Sequence, residues 1–141
     1  ADGPATLLAA YRRPQPLLAQ GRALAPFARA MADVSDGLLI DAGRIATASG
    51  LAVAIDLDAV PRSAALSAFA GDDRAARLAA VTAGDDYALI LAADPGDAGA
   101  IAALGIGAVR IGRFSAGTGL RLVDSDGAMA LPASLGWEHG D

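Results

Sequence analysis

At 141 residues the chain fits one domain and is long enough to enclose a single hydrophobic core. It has no cysteine and one histidine, His139, which removes disulfide frameworks and thiolate metal sites and leaves no basis for a histidine-rich metal centre or a Ser-His-Asp triad. Its net charge of −5, with arginine as all eleven basic residues, argues against general nucleic-acid binding, and a polyphosphate held among its acids would need a divalent cation between them.

Ala5 to Arg12 reads as a short helix closed by Arg13-Pro14-Gln15-Pro16, because two prolines bar its continuation. Leu17 to Arg29 has a helical period that Pro26 ends or kinks, and Ala30 to Val34 suits a short strand. Leu38 to Ser49 is the best helix in the chain. Leu38, Ala42, Ile45 and Ser49 form its stripe beside Leu39 and Ala46, Asp41 and Arg44 are expected to face away, and Gly50 ends it.

Leu51, Val53, Ile55 and Leu57 then alternate with Ala52, Ala54 and Asp56, a strand whose alanine face would admit a closely packed helix. Helices are predicted over Ser63–Ala70 and Asp73–Val81, and a strand apolar on both faces over Tyr87–Ala92. Asp94-Pro95 opens a further helix ending near Gly105. Ala108–Arg113 and Leu120–Val123 read as strands, and Asp124-Ser125-Asp126-Gly127 as a turn into a last one. The predicted class is a layered α/β or α+β domain with a mixed sheet of about four strands and helices on its faces.

The first segment with chemical content is Asp33-Val34-Ser35-Asp36-Gly37. Two carboxylates and a hydroxyl precede a helix start, where oxygen ligands suit magnesium and phosphate. The plainer reading is that Ser35 or Asp36 caps the helix. Gly84-Asp85-Asp86-Tyr87 is a second acidic cluster at a strand mouth, equally readable as a solvated loop. Asp124-x-Asp126-Gly127 has the start of a calcium loop, but its twelfth position is Leu135 and not glutamate, so a hairpin turn is expected. Gly117-Thr118-Gly119 joins two strands and is likewise a turn. Gly136-Trp137-Glu138-His139 closes the chain with its one tryptophan, either an anchor for the tail or an aromatic plate for a flat cationic ring.

Taken in order, Arg13-Pro14-Gln15-Pro16, Asp33-Val34-Ser35-Asp36-Gly37-Leu38 with Asp41, Ile55-Asp56-Leu57, Gly84-Asp85-Asp86-Tyr87, Ile111-Gly112-Arg113 and Gly136-Trp137-Glu138-His139 resemble the C-terminal half of thiamine-monophosphate kinases. The resemblance implies the superfamily of aminoimidazole ribonucleotide synthetase, with a three-layer α/β/α domain over residues 1–141 and an N-terminal domain absent from this chain. It implies transfer of the ATP γ-phosphoryl group to thiamine monophosphate with Mg2+, giving thiamine diphosphate. Asp33 and Asp36 then resemble metal ligands, Ser35 an ATP-phosphate contact, and Asp85 and Trp137 substrate contacts. The sequence departs from the family in having Ala83 before Gly84 and aspartate at Asp85, where many members carry glutamate.

A full-length homodimer through the missing N-terminal domain and an inactive isolated fragment are also implied. Two other functions are consistent with the residues: another ATP-using synthetase of the superfamily, or a non-catalytic binding or assembly module. Ala1-Asp2-Gly3-Pro4 lacks a basic n-region and an apolar h-region, and no apolar run reaches membrane length. A cytoplasmic protein without membrane or nucleic-acid partners is therefore expected, and the missing initiator methionine suggests a fragment.

Overall fold

A computed structural model describes residues 4–138. Helix α1 runs Ala5–Arg12 and α2 runs Leu18–Leu24, followed by a 3-10 turn over Ala25–Phe27 that contains Pro26. The chain straightens at once into β1, Ala28–Val34, two residues earlier than the helical period suggested. Pro26 supplies no amide for continued helix, and Ala28 is already extended. Helix α3 spans Leu38–Ser49 as expected, and Gly50 ends it in the left-handed region, donating to Ala46 and Thr47.

Strand β2 is Leu51–Asp56, α4 is Ala64–Ala70 and α5 is Arg74–Thr82. Ser63 caps α4 through Leu66 N–H, and Asp73 caps α5 through Ala76 N–H. Strand β3 is Ala88–Ala93; Asp94 then caps a 3-10 turn over Pro95–Asp97 before α6, Ala98–Ala103. Strands β4 (Gly112–Ala116), β5 (Gly119–Asp124) and β6 (Gly127–Met129) complete the fold.

Two sheets result. The larger is mixed, in the order β4-β2-β5-β6, with β2 antiparallel to β4 and parallel to β5. The smaller is the antiparallel pair β1-β3. Alternation along β2 sends Val53 and Ile55 to the core, where Leu39, Ala42 and Ala46 of α3 meet them together with Leu122 of β5. Val34 of β1, Ile90 of β3 and Val81 of α5 belong to the same buried cluster. One helix therefore ties both sheets together, and its N-terminus lies beside the end of β1.

Three expectations need correction. Strand β4 begins at Gly112, four residues after the predicted start. Its register sets Phe114 beside Val53, and Gly112 passes so close to Ala54 O that a Cβ there would lie 2.1 Å away. Among the described residues no helix packs on the alanine face of β2 at Ala54, which lines an open groove with Asp56, Arg110, Gly112 and Arg113. Only Ile90 of β3 is buried, so that strand is not covered on both faces within the described residues.

Candidate functional site

The loop between β1 and α3 is built around Asp41. It lies in the first turn of α3, is 5% exposed, and is the one buried charged residue among those described. Its Oδ2 accepts hydrogen bonds from the amides of Ser35 and Asp36, each at 3.1 Å. This reverses the expectation that Asp41 faces away. It also replaces the expected cap: Gly37 is the N-cap residue and makes no side-chain cap, while a carboxylate from inside the helix reaches back to the loop. An acid in the first turn is also favoured by the helix dipole.

Arg44 completes the arrangement, donating to Asp41 Oδ1 at 2.8 Å and also pairing with Asp36. Its hydrogen bond to Asp36 is the largest cause holding the guanidinium above its ordinary pKa.

Two segments that are remote in sequence converge on this loop through three main-chain hydrogen bonds. Asp85 N–H donates to Ser35 O at 2.8 Å, Tyr87 N–H to Val34 O at 2.9 Å, and Trp137 N–H to Asp36 O at 2.7 Å. Glycines allow the approach. A Cβ on Gly84 would lie 2.8 Å from Ser35 O, and one on Gly136 only 2.4 Å from Asp36 O. Gly37, at φ 134°, faces Gly136 and the Thr82 and Ala83 carbonyls that end α5.

Asp33, Ser35, Asp36, Asp85 and Trp137 therefore belong to segments that meet in one place. Asp33 is exposed on β1 beside the β3 strand mouth, while Asp36 is held by Arg44. Asp85 and Tyr87 both adopt positive φ, 64° and 51°, without being glycine, and Tyr87 Oη donates to Asp85 Oδ1 at 3.2 Å. Two such backbones in three residues are costly, and strain of this kind concentrates where a loop has to present particular groups. The Asp85 charge is the first cause raising the Tyr87 phenol pKa.

Trp137 is 66% exposed, so its side chain does not anchor the tail; Leu135, packed on the core, and the Trp137 amide do that. His139 lies outside the described residues.

Asp86 keeps an exposed surface, yet the surrounding chain takes enough water from its carboxyl to raise its pKa, and the Asp85 charge adds to the rise. A carboxyl whose pKa is higher folded than unfolded favours the folded state while protonated, and that advantage is lost as pH rises through its titration. Asp86→Asn is therefore expected to raise the urea midpoint at pH 7 relative to the unaltered chain. The gain should disappear below the ordinary aspartate value of 3.8. An equal effect at pH 7 and pH 3 would contradict the assignment.

The other acidic cluster is structural. Arg74 pairs with Asp124 and Asp126, each at 2.6 Å, and Arg77 pairs with Asp58, which accepts from Ser125 N–H at 2.8 Å. The Asp124–Gly127 turn is thus held by arginines, in keeping with a hairpin. Among the described residues, no three His, Cys, Asp or Glu side chains are grouped to hold a metal ion.

The fold and site together define an α/β domain that presents an acidic loop at a helix start, flanked by a strained acidic turn and an exposed tryptophan. Residues 5–125 match the family model described as AIR synthase related protein, C-terminal domain, and the chain belongs to that family. It is 37% identical to thiamine-monophosphate kinase of Caulobacter vibrioides over 146 aligned positions, covering 99% of this chain and 41% of that protein. The Salmonella typhimurium enzyme is 36% identical, over 96% of this chain and 42% of that protein.

The chain thus spans about two fifths of the length of these curated relatives. In structure it is similar to thiamine-monophosphate kinase from Stenotrophomonas maltophilia, with TM-score 0.78 and 37% identity over 86% of this chain and 41% of that one. It is also similar to AaThiL complexed with AMPPCP and TMP, with TM-score 0.77 and 25% identity over 93% and 40%.

Proposed function

We propose that this chain is the C-terminal part of an ATP-dependent kinase that converts thiamine monophosphate to thiamine diphosphate. The observation that carries the reading is the convergence of the Ser35, Asp85 and Trp137 segments through three main-chain hydrogen bonds. The names of its relatives point the same way, and AaThiL was captured with an ATP analogue and TMP.

Asp33 and Asp36 would hold Mg2+. Both offer hard oxygen, and such an ion takes one or two carboxylates and fills its shell with water and substrate phosphates. When bound, magnesium supplies neutralisation of phosphate charge. Ser35 contacts the ATP phosphates at the start of α3, where the helix dipole favours negative charge. Asp85 contacts the acceptor, and the exposed Trp137 ring lies against its cationic heterocycle.

A phosphate oxygen of thiamine monophosphate forms the new bond to the γ-phosphorus as the bond to the bridging oxygen breaks. ADP leaves with that electron pair. The attacking oxygen is already ionised near neutral pH, so this chain needs to provide no general base.

The protein is further proposed to act in the cytoplasm as a homodimer formed through a domain outside this chain. Among the described residues no helix is long and apolar enough to cross a membrane. The test joins this chain to the N-terminal portion of its Caulobacter relative and measures thiamine diphosphate and ADP by chromatography. The joined protein is expected to turn over ATP with thiamine monophosphate, and the chain alone is not. Turnover by the chain alone would refute the shared site. Activity only with an amide or selenide acceptor would favour a synthetase of the same superfamily.

A further inference from the structure

Two of the segments singled out in the sequence, Ile55-Asp56-Leu57 and Ile111-Gly112-Arg113, take no part in the acidic loop. They meet each other on the mixed sheet, where Asp56 N–H donates to Ile111 O at 2.8 Å. Val53, Ile55, Phe114, Leu120 and Leu122 take the core side of that sheet, so the residues alternating with them face away from α3. In register, Arg113 of β4 and Arg121 of β5 lie on either side of Ala54 in β2. Their Cα atoms are about 10 Å apart, twice the spacing between paired strands.

Both arginines are exposed, as is Arg110, which lines the same groove. Ion pairs among the described residues use Arg44, Arg62, Arg74 and Arg77, and none of these three. Arg110 spends only its Nε, on Gly112 O at 3.4 Å. The one acid in the groove is Asp56, whose Oδ1 already accepts from Asp58 N–H at 3.0 Å. In a chain of net charge −5, three arginines thus share one face without acids to pair them, and an anion would relieve their repulsion. Ala54 and Gly112 keep the floor between the guanidiniums low. The groove holds about 330 Å3, the lower end of the range for small-ligand sites.

We propose that this face is an anion site that takes a diphosphate group, one phosphate on Arg113 and the other on Arg121, with Arg110 at the rim. The planar fork of a guanidinium matches phosphate oxygens in pairs, and two forks on opposite sides of one strand suit two linked phosphates better than a single carboxylate. Asp56 repels the anion from its own end of the groove and so confines it over Ala54. The inference uses no residue of the acidic loop and does not rest on the kinase reading.

The test titrates this chain with inorganic diphosphate, ADP and orthophosphate in turn, in metal-free buffer at low ionic strength, while amide signals are followed. Diphosphate is expected to shift the amides of Ala54, Arg113 and Arg121 and to bind more tightly than orthophosphate. Arg113→Gln and Arg121→Gln should each weaken it about tenfold, the loss of one charge-assisted pair. Arg22→Gln removes the same charge from α2 and should change the affinity by less than about twofold, since charges that far off are screened. Tighter binding of ADP than of inorganic diphosphate would make a nucleotide the source of the group, and weaker binding the free ion. Equal weakening by all three substitutions would reduce the effect to net charge and overturn the site. Shifts confined to Asp33–Gly37, or no shift at all, would overturn it as well.

Discussion

Gly136→Ala is expected to detach the Trp137 segment from the loop it completes. The added methyl would lie 2.4 Å from Asp36 O and 2.5 Å from Ile40 Cγ2, and the first of these is main chain that cannot rotate aside. Either the tail lifts or the head of α3 moves. Among the described residues the tail is held there by the Trp137 amide and by Leu135, so it is expected to be the part that yields. Overpacking of this kind costs roughly 1–3 kcal/mol. The Trp137 amide should lose its exchange protection, while the Asp85 and Tyr87 amides keep theirs. If Trp137 stayed protected and the denaturation midpoint did not move, the close approach at Gly136 would be wrong. Gly43 makes a suitable control, since a methyl there meets nothing within 4 Å.

Asp36→Asn should cut turnover of the joined kinase by at least about a hundredfold, as expected when a preorganised charged group facing the reacting phosphates is lost. Asparagine keeps the shape and one oxygen but gives up the negative charge that would hold the cation. The fold should survive, because the loop hangs on the Asp36 main chain through its amide and its carbonyl. The measurement is kcat at saturating Mg2+ beside a melting curve. Near-normal turnover would rule out the metal role, and a collapse of the melting curve would show that the side chain is structural.

Much of the fold could be read from local pattern. Helix α1, closed by two prolines, helix α3, ended by Gly50, and the alternation of β2 followed directly from apolar spacing and from these local stop signals. Strand β4 was misplaced for a reason that local pattern cannot supply. Its start depends on how near its backbone comes to Ala54 O, and only the paired sheet defines that approach.

Asp41 was misjudged by the same kind of reasoning. A helical wheel puts an acid outside, whereas its real environment is the loop folded back over the helix start. The signal available was its place in the first helical turn, where a carboxylate can reach unpaired amides. The convergence of Asp33–Gly37, Gly84–Tyr87 and Gly136–Trp137 left no trace in hydrophobic period, since glycine and main-chain groups make it. Only the ordered resemblance to a family connected those segments before the structure did.

Because amides and carbonyls join these segments, their alignment is blind to which side chains they carry. Aspartate or glutamate at position 85, or a different ring at 137, leaves every one of those three bonds available. Side chains at these two positions can therefore be exchanged without losing the framework. The glycines are what cannot be exchanged, since a methyl on Gly84 or Gly136 meets main chain.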